Sequence, residues 1–190
     1  MNNCSNNIQV SLCSFTTGSF DKGANVFKLA LWFFVNAFIV KASWNPFMCI
    51  KIWLLRVFGA QIGSGLIIKN NVNIKFPWKL SVGDNVWLGE NCWLDNLDYI
   101  TIENDVCISQ GALLITGNHD YSVSNFPYRN APIVVKNGAW IGAKAIVAPG
   151  ITISSHSILT LGTVMTKDTE PYGIYQGNPG IKINERNIKG

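Results

Sequence analysis

From Ile62 onward, aliphatic residues recur at every sixth position. Neither an amphipathic helix nor a half-buried strand produces that spacing, their periods being about 3.6 and 2 residues. Ile62, Ile68, Ile74 and Leu80 form one run, and after a two-residue step Val82, Leu88, Leu94 and Ile100 form the next. A further step gives Ile102, Ile108 and Leu114, and after an interruption the series resumes as Val135, Ile141, Val147, Ile153, Leu159 and Met165. The position four residues further on is small or modestly apolar at Val72, Val86, Cys92, Val106, Ala112, Ala139, Ala145, Ser157 and Thr163. Trp78 and Asp98 break that rule and predict distorted corners. The residue directly after the aliphatic one is often tiny, as at Gly63, Gly83, Gly89, Gly142 and Ala148. This is the hexapeptide pattern of a parallel β-helix, in which three short strands make a triangular coil of about 18 residues. The aliphatic residue points inward, the small one fits the corner, and coils stack at ~4.8 Å. A mainly β fold follows, with the β-helix over residues 61–170.

The N-terminal third has a different texture. Val26 to Val40 reads VFKLALWFFVNAFIV, interrupted only by Lys28 and Asn36. Its length falls short of the ~18–20 residues needed to cross a bilayer. A second apolar stretch, FMCIKIWLLRVF, follows Pro46, which suits the first turn of a helix. The pattern predicts helices over 24–41 and 46–58, ended by Gly59 and packed as a cap on the β-helix. Trp32, Phe33, Phe34 and Trp44, flanked by Lys41 and Lys51, also suit shallow contact with a membrane surface. The chain thus divides into a flexible N-terminus (1–23), an apolar, basic helical segment (24–60), the β-helix, and a C-terminal tail (171–190).

The repeat stops between Ile115 and Val134 for TGNHDYSVSNFPYRNAPIV. A loop expelled from a strict solenoid, here 116–134, usually carries function. It holds His119, one of only two histidines in the chain. His156 lies at a repeat corner and reads as a surface residue.

Composition narrows the classes. Of 190 residues, 48% are hydrophobic and 14% charged, which excludes a disordered tail protein. The net charge of +4 resides in the first 60 residues, where Lys22, Lys28, Lys41, Lys51 and Arg56 face Asp21 alone. That placement points to an anionic surface or carrier rather than to nucleic acid. Five cysteines, Cys4, Cys13, Cys49, Cys92 and Cys107, form no CxxC pair and read as buried thiols of a reducing compartment. The first residues lack the basic region and compact apolar run of a signal peptide, so the protein is expected in the cytoplasm.

The run GENCWLDNLDYITIENDVCISQGALLITGNHDYS, then APIVVKNGAWIGAKAIVAPGITI, TKD and GNP, resembles hexapeptide acyltransferases. In particular it resembles the colanic-acid and exopolysaccharide O-acetyltransferases and, more distantly, galactoside and maltose acetyltransferases, over roughly residues 20–186. The resemblance implies a left-handed coil, a homotrimer with sites between neighbouring coils, and acetyl transfer from acetyl-CoA, a co-substrate and not a resident cofactor. The acceptor it implies is a sugar hydroxyl, and a lipid-linked saccharide at the inner membrane face fits the basic N-terminus. His119 matches the family's catalytic base. Asp95 falls where relatives place a polar group near acceptor or imidazole, with Asp120 the competing orienter. Trp140 matches the tryptophan that lines the acceptor and thioester region, and the Ala143 amide matches an oxyanion donor. Ala143, Leu161, Thr166 and Lys167 match coenzyme A contacts. Galactoside-type relatives carry arginines where this chain has Ile181 and Asn184, leaving Lys182 and Arg186 as replacements. Tyr121, Phe126, Tyr128 and Arg129 suit a sugar face and an anionic group by composition. The β-helical carbonic anhydrases need three zinc-binding histidines, and this chain has two, so no metal is expected. An N-acetyltransferase of an amino- or nucleotide-sugar, and a non-catalytic β-helix scaffold or polysaccharide-binding module, are the alternatives.

Overall fold

The computed structural model describes residues 8–190, so Cys4 lies outside the described residues. Five three-stranded coils follow one another. They are β1 (Gln61–Ile62), β2 (Ile67–Ile68) and β3 (Asn73–Ile74); then β4 (Leu80–Val82), β5 (Trp87–Leu88) and β6 (Trp93–Asp95). The third has β7 (Ile100–Ile102), β8 (Cys107–Ile108) and β9 (Leu113–Ile115); the fourth β10 (Ile133–Val135), β11 (Trp140–Ile141) and β12 (Ile146–Val147). The fifth has β13 (Thr152–Ile153), β14 (Ile158–Leu159) and β15 (Val164–Met165), and β16 (Gly173–Gln176) begins a sixth. Equivalent strands pair in parallel from coil to coil and make three sheets, one per side of the triangle.

The registers put each hexad residue over its counterpart. Leu88, Ile108, Ile141 and Leu159 form one such inward column. Sixteen of the seventeen repeat positions are buried; Ile62, in the first coil, is half-buried. The nine small corner residues are all at 1% exposure or less, which explains the size rule. Trp78 lies instead on a 3₁₀ turn, Pro77–Lys79, and Asp98 at a partly exposed corner. The glycine after the aliphatic residue has its own cause. A Cβ on Gly142 would sit 2.5 Å from the Leu159 carbonyl oxygen of the next coil.

At the N-terminal end, α1 (Val26–Val35) starts at Asn25, whose side chain accepts a hydrogen bond from the Lys28 amide (2.9 Å). A π turn over Asn36–Val40 continues it, and α2 (Met48–Val57) follows. Trp32 donates its indole N–H to the Ile74 carbonyl (3.0 Å), and its ring packs on Phe58 (5.0 Å). The helical pair therefore plugs the open end of the first coil. No helix among the described residues is long and apolar enough to cross a membrane.

Three expectations need correction. The parallel ladder does not stop at residue 170, because β16 pairs with β14 and β17 (Ile181–Glu185) then pairs antiparallel with β16. That hairpin terminates stacking at a sheet edge that would otherwise stay open. Residues 11–20 are not free: Ser11 N–H donates to Ser124 O (2.8 Å), and Phe15 and Phe20 pack on Tyr128 at 5.5 and 4.9 Å. Finally, Cys92 is buried, its thiol pushed up to about 11 by desolvation, but Cys13 and Cys49 are exposed.

The column makes a stability prediction. Ile141 is fully buried between Ile108 and Leu159. Ile141→Ala should cost about 2–5 kcal/mol, and Ile62→Ala clearly less, in urea unfolding followed by circular dichroism.

Candidate active site

The extruded loop leaves at the end of β9 and returns at β10. Its root is tied to the coil beneath, since Thr116 Oγ1 donates to the Asp95 carbonyl (3.0 Å) and Ala131 N–H donates to Thr116 O (3.0 Å). Further out the two limbs are laced together. Arg129 N–H reaches Asn118 O (2.8 Å), Asp120 N–H reaches Pro127 O (2.9 Å), and His119 bridges Tyr128. His119 thus stands at a braced neck, not at the free tip where Tyr121 is exposed.

The imidazole stacks with Phe126 (4.4 Å between centroids) and Tyr128 (4.8 Å), and Phe15 meets it edge-on at 5.9 Å. Its Nδ1 lies 2.8 Å from the Phe126 carbonyl oxygen. A carbonyl only accepts, so Nδ1 carries the hydrogen and the Nε2 lone pair is left for a substrate proton. Phe126 adopts a left-handed backbone conformation (φ 49°), which helps turn its carbonyl toward the ring.

Neither carboxylate considered as orienter occupies that position. Asp120 accepts from the Ser122 amide (3.0 Å) and hydroxyl (2.5 Å), bonds that hold its carboxyl below the usual range and stabilise the loop turn. Asp95 is nearly buried (8% exposed), and Lys75 Nζ lies 2.8 Å from its Oδ1. Its main chain, by contrast, anchors the loop root described above.

A separate cleft of about 310 Å³ runs along the sheet containing β8, β11 and β14. It brings together Trp140, Ala143 and Leu161 with Ser109, Gln110 and Thr160. The Trp140 indole donates to Ser109 Oγ (2.8 Å), which holds the ring against the cleft. The Ala143 amide makes no hydrogen bond among the described residues. Thr166 and Lys167 are exposed just after β15. Tyr128 and Arg129 line another, polar recess of about 430 Å³ with Asp21, Lys79 and Asp98. His119 does not line the Trp140 cleft, so one chain holds the two groups of candidate residues apart.

The cations suggested as replacement phosphate contacts are engaged elsewhere. Lys182 Nζ lies between Glu170 (2.7 Å) and Glu185 (2.9 Å), and both carboxylates raise its affinity for its proton. Arg186 donates to the carbonyls of Gly138 (2.8 Å) and His156 (3.3 Å), pinning a corner where His156 stacks on Tyr172. Sequence reasoning also missed Phe15, Phe20 and Ser109. The signal for the first two was two aromatics in an otherwise polar segment; for Ser109 there was none. Among the described residues, no group of His, Cys, Asp or Glu side chains converges as a metal site requires.

No family model matches the chain. The Escherichia coli (strain K12) protein named as the colanic acid biosynthesis acetyltransferase WcaF is 35% identical over 177 residues, covering 92% of this chain and 96% of that protein. Among solved structures, the hexapeptide-repeat acetyltransferase VCA0836 of Vibrio cholerae O1 biovar eltor, complexed with acetyl coenzyme A, superposes with a TM-score of 0.78. It is 18% identical, and the match covers 90% of this chain and 95% of that one. A maltose O-acetyltransferase of Clostridium difficile 630 superposes at 0.73, with 22% identity over 86% of this chain and 88% of its own. Together with the hexad columns and the histidine-bearing loop, the near full-length match to the E. coli protein shows that this chain belongs to the hexapeptide-repeat acetyltransferases of the colanic-acid biosynthesis type.

Proposed function

We propose that the protein transfers an acetyl group from acetyl-CoA to a hydroxyl of a sugar during assembly of a surface polysaccharide. The observation that carries this reading is the His119 imidazole, whose Nδ1 is committed to the Phe126 carbonyl and whose Nε2 is thereby a proton acceptor. An alcohol is a weak nucleophile at neutral pH and needs such a base; a neutral amine does not depend on one to the same degree.

The step is direct. Nε2 takes the hydroxyl proton as the oxygen attacks the thioester carbon. The carbonyl electrons move to oxygen, where the Ala143 N–H stabilises the developing charge. Collapse expels the coenzyme A sulfur, which recovers the proton from Nε2–H. Trp140 and Leu161 line the pantetheine side of the cleft, and Lys167 meets a phosphate. In this reading Asp95 acts by holding the loop root and, through Lys75, the ground beneath the acceptor. Tyr128 and Arg129, with Asp120 and Tyr121 nearby, contact the sugar. The separation of His119 from the Trp140 cleft within one chain supports a homotrimer in which adjacent copies complete each site. The name of the E. coli relative supports the polysaccharide context, and the reaction is placed in the cytoplasm, where acetyl-CoA is made.

The first test is calorimetric titration of acetyl-CoA, with ATP as control for plain phosphate attraction. Selective acetyl-CoA binding supports the donor half; its absence favours a non-catalytic β-helix. With sugar acceptors in hand, His119→Ala should lower turnover ~10²–10⁴-fold while donor affinity stays nearly unchanged. Near-normal turnover would sink the mechanism. For the phosphates, Lys167→Ala should weaken acetyl-CoA about two- to fivefold, as befits one exposed charge contact. Lys182→Ala should leave that affinity unaltered, because its ammonium is already held by two carboxylates.

A further inference from the structure

The two helices at the end of the β-helix are inverted relative to an ordinary surface helix. Along α1 and its π turn, Val26, Phe27, Ala30, Leu31, Phe33, Phe34, Ala37 and Phe38 are all exposed, and Phe27, Ala30, Leu31, Phe34 and Phe38 among them share one helix face at i, i+3, i+4 spacing. Along α2 they are Cys49, Ile50, Trp53 and Val57. The linker adds Trp44 and Phe47. Phe27, Trp44 and Trp53 are 76%, 71% and 61% exposed, far beyond scattered surface apolar residues. The inner faces are already used, by Trp32 on Ile74 and Leu55 and Phe58 in the core. The outer face is therefore surplus to folding.

We propose that this face seats on an anionic lipid bilayer, with the helices lying in the interface plane. The 15 residues from Val26 to Val40 make a rod about 22 Å long, too short to cross a hydrocarbon core of about 30 Å. Tryptophans at the edge of an apolar face suit the headgroup boundary. Charge selects the partner. The first 60 residues carry five cations against Asp21 alone. Lys28 lies over the Trp78 ring (4.7 Å), Arg56 donates to the Ile62 and Gly63 carbonyls and Lys51 is buried, which leaves Lys22 and Lys41 as the cations for a headgroup layer. A second copy would set these cations against their own counterparts, an arrangement that opposes self-association. An anionic headgroup layer meets them favourably.

The docking does not depend on the acetyl-transfer reading, but together they have a geometric consequence. The His119 loop leaves between the third and fourth coils, roughly 10–15 Å along the stack from the capped end at ~4.8 Å per coil. A saccharide carried on a membrane lipid would reach that height within a few sugar units.

The test is flotation of the full chain with vesicles of phosphatidylcholine alone, or with about one third phosphatidylglycerol, at low and high salt. The wild type should float with the anionic vesicles and much less with the neutral ones, and high salt should release part of it. F34E/W53E should lower the bound fraction about tenfold or more, and K22E/K41E should remove the preference for anionic lipid. Light scattering and the thermal melt are read on every protein. A wild type that stays at the bottom of the gradient, or F34E/W53E that floats equally well, overturns the proposal. No flotation together with a lower oligomeric mass in F34E/W53E would show instead a contact between copies. If F34E/W53E does not fold, K22E/K41E and the salt series decide. Flotation with no acetyl-CoA binding would leave the docking standing and the transferase reading fallen.

Discussion

Everything in this molecule rests on the backbone hydrogen bonds that join each coil to the next. Strands of two or three residues are far too short to persist by themselves, and each is held by the equivalent strand of a neighbouring coil. The inward aliphatic columns keep those strands in register, since a slip of one residue would turn the column outward and leave a polar side chain inside. Corner asparagines add a second lock. Asn71 donates to Asn91 (2.6 Å) and Asn85 to Asp105 (3.2 Å), each twenty residues on, while both donors hold the left-handed turn conformation. Such a stack is quasi-one-dimensional and must be closed at both ends. The helical plug does this before β1, and the antiparallel β16–β17 hairpin does it after β14.

The candidate chemistry sits where this regularity is suspended. Coil-to-coil partners are 20 residues apart from Ile62 to Val82 and from Val82 to Ile102, 33 across the loop to Val135, and 18 thereafter to Ile153. The ladder is unbroken despite these steps. The excursion carrying His119 therefore departs from a rigid platform, and Phe15, Phe126 and Tyr128 enclose the ring in aromatic surface. An imidazole held by stacking and by one carbonyl has little rotational freedom left, which favours proton transfer at one nitrogen and one angle.

What could be read in advance divides along the same line. The hexads, the small corners and the plug were legible because each is imposed by packing on one residue type at a fixed interval. Trp140, Ala143 and Leu161 were singled out by the resemblance to hexapeptide acyltransferases, and the regular stacking of coils brings them to one cleft. The partner of His119 was not legible. It is a main-chain carbonyl, which no side-chain identity announces, and it is aimed by the unusual φ of Phe126. The partners of Lys182 and Arg186 were hidden for a related reason. Their charges suggested a phosphate, but Glu170, Glu185 and two corner carbonyls are brought to them by the terminal hairpin, a long-range event invisible to local pattern. The packing of residues 11–20 over the loop is equally non-local.

Because the ladder passes the loop without a change of register, the length of the excursion is only weakly coupled to the stability of the solenoid. Closing a flexible segment of twice the length costs only ~0.6 kcal/mol more. Insertions and deletions among residues 120–127 would thus be nearly invisible to the fold while reshaping what stands opposite His119. The scaffold can be conserved under strict geometric selection, and the acceptor preference can drift almost freely on top of it. A family built this way should diversify its substrates faster than its architecture.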